Sequence, residues 1–539
     1  MGSELYWHND FDQVNFLSTQ QEINHYFEQR RAKTHVIFHV ESQRVGIAFN
    51  GDIGSQPAAT SLVYLGTLPP TYPEWLGDRA FSETHGLRFS YVGGAMARGI
   101  ASADMVIALG KIGCLGFFGS AGLTLDQVES AVITIKNTLN PMGVSWGVNL
   151  IHTSATPELE EALVDLYLKH GVNRVEAAAF MGSSRALARF ACQGLYRDKA
   201  GIIRRKHYVF PKISRPEVAR HYLSPISAEI LADLVQNKQI TEEEAELAKG
   251  IPFAEDITVE SDSGGHTDGR PLNALFPVIA SLRDELQQQY QFAIPTRLGA
   301  AGSLGTPQAV ASAYALGAAY VLLGSVHQSC LESGLHPKGR QLLTQVGVDD
   351  TAITPSADMF EIGGKVQVVK KGSMMALRGN RLLDIYNQYD SIDSLPVAVT
   401  QELEKQIFRS SLQDIWAKTE LFFSQIDPKE LSRANENPKY KMALIFRWYL
   451  GKSSKWALTG DEDRVLDYQI WCGPAMGAFN AWVQGSFLEN AESRQVQQVA
   501  LNLLEGASCI TRAQQLRSFG VNVSRFLFNY LPQQLATAE

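Results

Sequence analysis

The chain has 539 residues, more than one hydrophobic core usually serves, and its 45% hydrophobic content is typical of a packed globular protein. Its 48 lysines and arginines are outnumbered by 56 aspartates and glutamates, so the formal charge of −8 argues against general nucleic-acid binding. No apolar run approaches the roughly 18 residues that span a bilayer, so we expect a soluble protein. The five cysteines are scattered without a CxxC pair, so a reducing cytoplasm is the expected location.

Residues 1–87 are predicted to form an N-terminal cap region. Within it, residues 34–48 resemble a small β-hairpin, because two β-rich runs flank a polar turn.

From about residue 88 onward, short β-rich runs alternate with glycine-bearing or polar loops and with amphipathic helical patterns. Eight such runs begin near Arg88, Cys114, Ser145, Arg174, His207, Asp256, Pro295 and Tyr320. Successive starts are about 25 to 50 residues apart, which suits a parallel strand, a helix and two loops. We therefore predict an α/β fold, a closed (β/α)8 TIM barrel over residues 88–396.

The longest interval lies between the fifth and sixth strands, and residues 223–250 within it are predicted to be an inserted helical hairpin. Thr241 and Glu244 have the spacing of a capping box, and Gly250 lies where a C-terminal cap is expected. The insertion could be a lid, a partner surface or a helix pair that only packs.

Strand patterns stop near residue 397, and residues 397–539 are predicted to form a separate C-terminal helical domain. The region is rich in tryptophan and tyrosine, as in "DYQIWCGPAMGAFNAWVQG". These aromatic residues either form a core or line a surface for a partner or a second copy, and a homodimer through this region is our expectation.

Two glycine-bearing loops predict a phosphate site. "GAAGSLGTP" follows the seventh strand, and its Gly302 and Ser303 precede a helix that Thr306 can cap, so free N–H groups point at one spot. Gly324 and Ser325 follow the eighth strand. Loops after strands seven and eight bind phosphate in many barrels.

Two further strand ends predict a site for a flat polar ring. After the first strand, Gly94 leaves room for a ring, while Ala95 and Met96 offer backbone and soft apolar contacts. Asn149 ends an otherwise apolar strand, and its buried amide needs hydrogen-bond partners. A phosphate site with a flat heterocycle across the barrel opening is what flavin mononucleotide (FMN) requires.

His266 lies in "VESDSGGHTDGRP", in a loop after the sixth strand, where an imidazole could donate a proton near neutral pH. A lone histidine is also often structural. A metal site would need more ligands, and only Asp262 and Asp268 are near. The five cysteines form no CxxC pair, so neither a zinc site nor a disulfide framework is predicted.

Several longer motifs occur from residue 88 to near the end, among them "YVGGAMARGIAS", "RVEAAAF", "ITVESDSGGHTDGRPL", "ADMFEIGGKVQVVKKGSMMALR" and "DYQIWCGPAMGAFNAW". They resemble the stand-alone enoyl reductase subunit of bacterial polyunsaturated-fatty-acid synthases and its relatives in trans-acyltransferase polyketide systems. The barrel part is also similar to nitronate monooxygenases. The "AGS" at residues 301–303 departs from the consecutive glycines more common in the family.

The resemblance implies an FMN- and NADPH-dependent reductase of enoyl thioesters on an acyl carrier protein, working with a polyketide or fatty acid synthase multienzyme. It implies flavin contacts from Gly94, Ala95, Met96, Asn149 and Lys212, with Gly264 and Gly265 lining the pocket, phosphate contacts from Gly302, Ser303, Gly324 and Ser325, and His266 as the catalytic residue. The alternatives are a flavin oxidase of the nitronate monooxygenase type and a non-catalytic synthase scaffold.

Acyl carrier proteins are acidic, so a basic docking patch is expected. Its candidates are residues 204–206, Lys370 with Lys371, Arg378 with Arg381, and residues 451–456. Each of these clusters could equally be a solvated charged face.

Overall fold

The structure of the chain is a computed structural model that describes residues 5–8, 13–17, 19–55, 62–153 and 156–537. Its N-terminal region contains an antiparallel sheet with the strand order β3-β2-β5-β1-β4. These strands are β1 (Tyr6–Trp7), β2 (Thr34–His39), β3 (Arg44–Ala48), β4 (Ile53–Gly54) and β5 (Leu62–Leu68). β2 and β3 pair in antiparallel register and form the hairpin that the sequence predicts.

A closed eight-stranded barrel forms the centre of the molecule. Its strands are β6 (Tyr91–Gly93), β7 (Leu115–Phe118), β8 (Gly147–Ile151), β9 (Arg174–Ala178), β12 (Tyr208–Ile213), β13 (Asp256–Glu260), β15 (Arg297–Ala301) and β16 (Tyr320–Leu323). Neighbouring strands pair in parallel, and β16 closes the ring against β6. All eight predicted barrel strands are thus confirmed. They could be recognised in the sequence because parallel strands covered on both faces appear as short apolar runs.

The other strands lie at the two ends of the barrel. They are β10 (Tyr196–Arg197), β11 (Ile203–Arg204), β14 (Gly265–His266), β17 (Thr351–Pro355) and β18 (Lys365–Val369). β14, β18 and β17 form a three-stranded sheet at the end where the barrel strands terminate, which we call the mouth. The loop that carries His266 is therefore held by main-chain pairing to β18.

Helices account for most of the remaining chain. They are α1 (Gln20–Glu28), α2 (Arg79–His85), α3 (Ala103–Lys111), α4 (Leu125–Leu139), α5 (Pro157–His170), α6 (Arg185–Cys192), α7 (Pro216–Leu223), α8 (Ala228–Gln236), α9 (Glu242–Ala248), α10 (Leu272–Tyr290), α11 (Pro307–Ala315), α12 (Pro337–Leu343), α13 (Met375–Gln388), α14 (Val397–Glu402), α15 (Leu412–Ile426), α16 (Pro428–Glu436), α17 (Pro438–Thr459), α18 (Ala475–Val483) and α19 (Val496–Ser518). Within the described ranges, no helix is long and apolar enough to cross a membrane.

The predicted insertion between the fifth and sixth barrel strands consists of α8 and α9. Thr241 and Glu244 form the expected capping box, but α9 ends at Ala248 and Lys249 caps it, so Gly250 adopts no left-handed turn. Asp233 of α8 pairs with Arg185 of α6, and Glu244 accepts the amide of Gly194 just after α6. Of the three interpretations that the sequence allows, these contacts favour a helix pair that packs on the outside of the barrel.

The C-terminal region is helical, as predicted, but its last helix is not separate from the barrel. Gln497 of α19 donates to the Ala108 carbonyl in α3, and Gly506 of α19 packs against Pro307 of α11. α19 thus lies between the helices that follow the first and seventh barrel strands, where the eighth helix of a barrel belongs. The sequence did not reveal this, because helical periodicity carries no information about a distant partner.

The end of the barrel opposite the mouth is closed by α2, whose Phe81 stacks on Tyr320 inside the barrel with ring centroids 4.3 Å apart. Next to these rings lies a buried ionic cluster, whose His85 ring is 4.9 Å from that of Phe81. Asp256 accepts two hydrogen bonds from Arg297, at 2.7 and 2.8 Å, and one from His85 at 2.9 Å. Arg174 in turn donates to the other ring nitrogen of His85. Every charged side chain of this cluster therefore has a hydrogen-bond partner.

Candidate active site

The two predicted phosphate loops meet at the mouth, together with a third element. Gly302 and Ser303 follow β15 in left-handed conformations, with φ of +87° and +56°. Gly324 and Ser325 follow β16, and the Ser325 hydroxyl accepts the amide of Gly473 at 3.2 Å. Gly473 lies just before α18.

The start of α18 approaches the loops after the seventh and eighth strands, the place where phosphate-binding barrels have the N-terminus of a short extra helix. A Cβ on Gly305 would lie only 2.0 Å from the Ala475 carbonyl at the start of this helix, so the approach requires glycine. No role for residues 473–475 was predicted from the sequence. The Gly-Pro pair of "WCGPAMG" was the available signal, because proline just before a helix marks a preorganised first turn.

A buried ionic layer crosses the interior of the barrel just inside the mouth. The Lys212 ammonium lies 3.4 Å from Glu176 and 3.3 Å from Glu260, and Glu176 also accepts the amide of Ala95 at 3.0 Å. Burial raises the pKa of Glu176. Burial alone would lower the pKa of Lys212, but the two carboxylates outweigh it and raise that pKa, so the ammonium stays charged.

Glu176 and Glu260 were not predicted as site residues, and Lys212 entered only through the resemblance. These three side chains come from the neighbouring strands β9, β12 and β13, and they meet because alternate residues of a barrel strand face inward. Asn149 on β8 donates to the Glu176 carbonyl at 3.1 Å, so the neighbouring strand satisfies its amide N–H. Its side-chain oxygen has no hydrogen-bond partner in the part of the chain that the structure describes.

The loop after the first barrel strand lies against the end of the eighth strand at the mouth, where the Gly94 amide donates to the Leu323 carbonyl at 2.9 Å. A Cβ added to Gly324 would meet nothing closer than the Met96 side chain, at 3.9 Å. A Cβ on Gly94 would instead collide with Leu322 at 2.4 Å, so the chain passes tightly over the barrel interior there. Gly94 and Met96 are therefore close neighbours of Gly324 at the mouth.

The loop that carries His266 forms the rim of the mouth. Gly264 packs against the backbone of Cys472, from which its Cβ would be 2.7 Å away, and Gly265 has a φ of +80°. The His266 side chain is 44% exposed, and its Nε2 lies 3.2 Å from an Asp358 oxygen. Within the described ranges, no hydrogen bond or ion pair joins His266 to the other predicted site residues.

Three buried polar atoms beside the phosphate loops test whether a polar cofactor fits. The side-chain oxygens Oγ of Ser263 and Oε1 of Gln328 and Gln367 have no hydrogen-bond partner among the described residues. Gln328 donates to the Trp471 carbonyl, and the Gln367 oxygen lies 3.2 Å from the Cβ position of Gly473. Such acceptors suit a ligand with hydroxyl groups next to a phosphate, as in FMN. The described residues contain no cluster of three or more metal-ligating side chains.

Two family models match the chain. The model described as nitronate monooxygenase matches residues 81–371, more than half of the chain. A second model, described as the inserted helical domain of acyl-carrier-protein S-malonyltransferase, matches residues 389–468.

Among curated proteins, the polyketide biosynthesis protein PksE of Bacillus subtilis is 44% identical over 431 residues, covering 80% of this chain and 56% of that protein. A polyunsaturated fatty acid synthase polypeptide of Thraustochytrium sp. is 43% identical over 450 residues, covering 82% of this chain and 30% of that protein. The chain therefore spans little more than half, or less, of the length of these relatives.

One solved structure is similar over nearly its full length. It is the crystal structure of the enoyl reductase domain of MlnA, from the macrolactin biosynthesis cluster of Bacillus amyloliquefaciens. It has a TM-score of 0.79 and 38% sequence identity, and the match covers 83% of this chain and 99% of that one.

Proposed function

The chain belongs to the nitronate monooxygenase family and, within it, to the group that contains the enoyl reductase domain of MlnA, and on this premise we propose that it is an enoyl reductase. It would use NADPH and FMN to reduce the 2,3 double bond of enoyl thioesters on acyl carrier protein, within polyketide or polyunsaturated fatty acid synthesis. The observation that carries the proposal is the meeting of Gly302–Ser303, Gly324–Ser325 and the start of α18 across the mouth from Lys212.

The phosphate of FMN would be held by the N–H groups of Gly302, Ser303, Gly324 and Ser325, with Gly473 beside them. This chain has "AGS" at residues 301–303, where the family more often has consecutive glycines. Ser303 has the same backbone N–H group as a glycine, so this difference does not affect the proposed phosphate contacts. When bound, FMN would supply hydride transfer from the nicotinamide to the β-carbon of the enoyl group.

The ring would lie over the loop that carries Gly94, Ala95 and Met96, with Gly324 beside it. Asn149 offers its side-chain oxygen there, and Lys212 offers a charged ammonium at the ring edge. The ammonium is held between Glu176 and Glu260, so it cannot swing away. A fixed positive charge in a site shielded from water stabilises negative charge that develops during reaction.

His266 is proposed to donate a proton or hydrogen bond to the thioester at the rim. Its pairing with Asp358 orients the ring, and the pairing of β14 with β18 fixes its backbone. Gly264 and Gly265 would position this loop over the pocket.

The proposed partners follow from the relatives. PksE is named for polyketide biosynthesis and the Thraustochytrium relative for a polyunsaturated fatty acid synthase, and the helical region resembles a domain of an enzyme named for acyl carrier protein. We propose that this chain works with such a synthase, receives its substrate on the carrier protein and forms a homodimer through the C-terminal region.

The function is tested by purifying the full chain and recording its absorbance spectrum, in which bound flavin is expected. Crotonyl thioester should then drive rapid NADPH oxidation, and His266→Gln should slow it by about 10² or more. Oxygen uptake with an alkyl nitronate and no reduction of crotonyl thioester would favour a flavin oxidase instead. A colourless protein that cannot be loaded with FMN would favour a scaffold.

Gly324→Val tests the place proposed for the ring. A Cβ at this position would be in ordinary van der Waals contact with the flexible Met96 side chain, so the melting temperature should change little, whereas flavin content after purification should fall at least about tenfold. Gly324→Ala adds only one methyl and should keep most of the flavin. Full flavin content in Gly324→Val would contradict the placement.

A further inference from the structure

Several side chains of the basic clusters predicted as candidates for docking an acidic partner are already paired with carboxylates. Arg204 pairs with Asp198 and Arg205 with the buried Glu255. Lys371 lies 3.5 Å from Asp350. Arg378 pairs with Asp467, and Arg381 forms two hydrogen bonds with Glu402. Neutralised side chains of this kind offer little attraction to a partner.

Three lysines on the C-terminal helices form a basic group without such partners. Lys418 lies on α15, and Lys452 and Lys455 lie one turn apart on α17. No ion pair in the part of the chain that the structure describes involves any of them. α15 packs on α17, with the Lys441 ammonium of α17 4.6 Å from the centre of the Trp416 ring of α15. Burial lowers the pKa of Lys452, and the positive charges of Lys455 and Lys418 lower it further.

An apolar stripe continues from these lysines along α15. Leu421, Phe422 and Ile426, in the second half of α15, are 61%, 56% and 57% exposed, whereas Leu412, Ile415 and Thr419 earlier in the same helix are buried. The spacing of the three exposed residues from Lys418 places them on one side of the helix. Exposed apolar side chains rimmed by charge are typical of an interaction surface.

The lysines also adjoin the mouth of the barrel. Gly451, next to Lys452, accepts a hydrogen bond at 3.4 Å from Arg98, which follows Met96 in the loop after β6. Arg98 holds a left-handed φ of +58°, an unusual conformation for a residue with a side chain. A partner seated on the lysines would therefore stand beside the loop that faces the proposed flavin site.

We propose that Lys418, Lys452 and Lys455, with Leu421, Phe422 and Ile426, form the docking surface for the acidic carrier protein. This proposal rests on the proposed function for its choice of occupant. The positive group complements an acidic surface in a chain whose overall charge is −8, and the stripe offers apolar contact beside it.

The test measures binding of an isolated acyl carrier protein domain from a polyketide synthase to the full chain by titration calorimetry. Lys452→Glu/Lys455→Glu should weaken binding at least about tenfold, and Phe422→Asp should weaken it separately. High salt should narrow the gap between wild type and the double variant, because it screens the charges. The matched control is Lys111→Glu/Lys199→Glu, which makes the same charge change at exposed lysines on the opposite end of the barrel and should bind like wild type.

Kinetics separate failure of this proposal from failure of the proposed function. The double variant should reduce a crotonyl thioester of N-acetylcysteamine at the wild-type rate, while KM for crotonyl-loaded carrier protein rises at least about tenfold. Equal carrier binding by wild type and the double variant would overturn the docking surface. The docking surface would also be overturned if Phe422→Asp abolished a dimer and left carrier binding unchanged, because the apolar stripe would then be a contact between two copies of the chain. Carrier binding that depends on the lysines, without any thioester reduction, would overturn the reductase function and support the surface.

Discussion

Asp256→Ala should lower the free energy of unfolding by about 3–5 kcal/mol, because it leaves the Arg297 guanidinium buried without its carboxylate. Asp256 is fully buried at the closed end of the barrel and joins strands β13 and β15 to helix α2 through Arg297 and His85. Urea denaturation of both proteins followed by circular dichroism would measure the loss.

Asp268→Ala is the matched control, because Asp268 also binds one arginine, Arg215, through both oxygens, but on the surface. It should cost no more than about 1 kcal/mol. Similar losses in the two variants would contradict the importance given to burial.

The effect of Asp256 should also depend on pH. Burial alone would raise its pKa, but Arg297 and His85 outweigh this and hold the pKa well below its usual range. A carboxyl group with a depressed folded-state pKa stabilises fully above its unfolded pKa of about 3.9 and loses that contribution as the pH falls further. The stability gap between wild type and Asp256→Ala should therefore be constant from neutral pH to about pH 5 and shrink below about pH 4.

Lys212→Met should lower kcat/KM for crotonyl thioester by about 10² or more and make the midpoint potential of the bound flavin more negative. The ammonium is the cation of the ionic layer inside the mouth, and a methionine keeps its length without its charge. Steady-state rates and a reductive titration would measure the two effects.

The double variant Glu176→Gln/Lys212→Met separates chemistry from folding. Lys212→Met alone leaves the buried Glu176 without a cation and should be less stable than wild type, whereas the double variant neutralises both and should recover much of that stability. Activity and potential should remain as low as in the single variant. Recovery of activity along with stability would show that Lys212 acts only on the fold.

The barrel could be predicted from the sequence because its strands are buried on both faces and separated by glycine-bearing loops. The meeting of the two glycine-bearing loops could also be predicted, since the carboxyl ends of the seventh and eighth strands must be neighbours in a closed barrel. The approach of Gly473 to Ser325 could not, because it joins residues far apart in the chain. The same holds for the pairing of His266 with Asp358.

The ionic layer shows a different limit. Glu176, Lys212 and Glu260 each occur singly in their strands, and their meeting depends on the register between strands, which an amino-acid pattern does not state. The structure places His266, Gly264 and Gly265 at the rim of the mouth, and their roles stay predictions.

The placement of α19 has a consequence for how the molecule reaches its native state. α19 covers the apolar surface between α3 and α11, but it is synthesised long after the last barrel strand. During synthesis, this surface of the barrel would therefore stay exposed until α19 is made. Cutting the chain between the barrel and the C-terminal helices would leave that surface uncovered, so the two parts are better regarded as one cooperative unit.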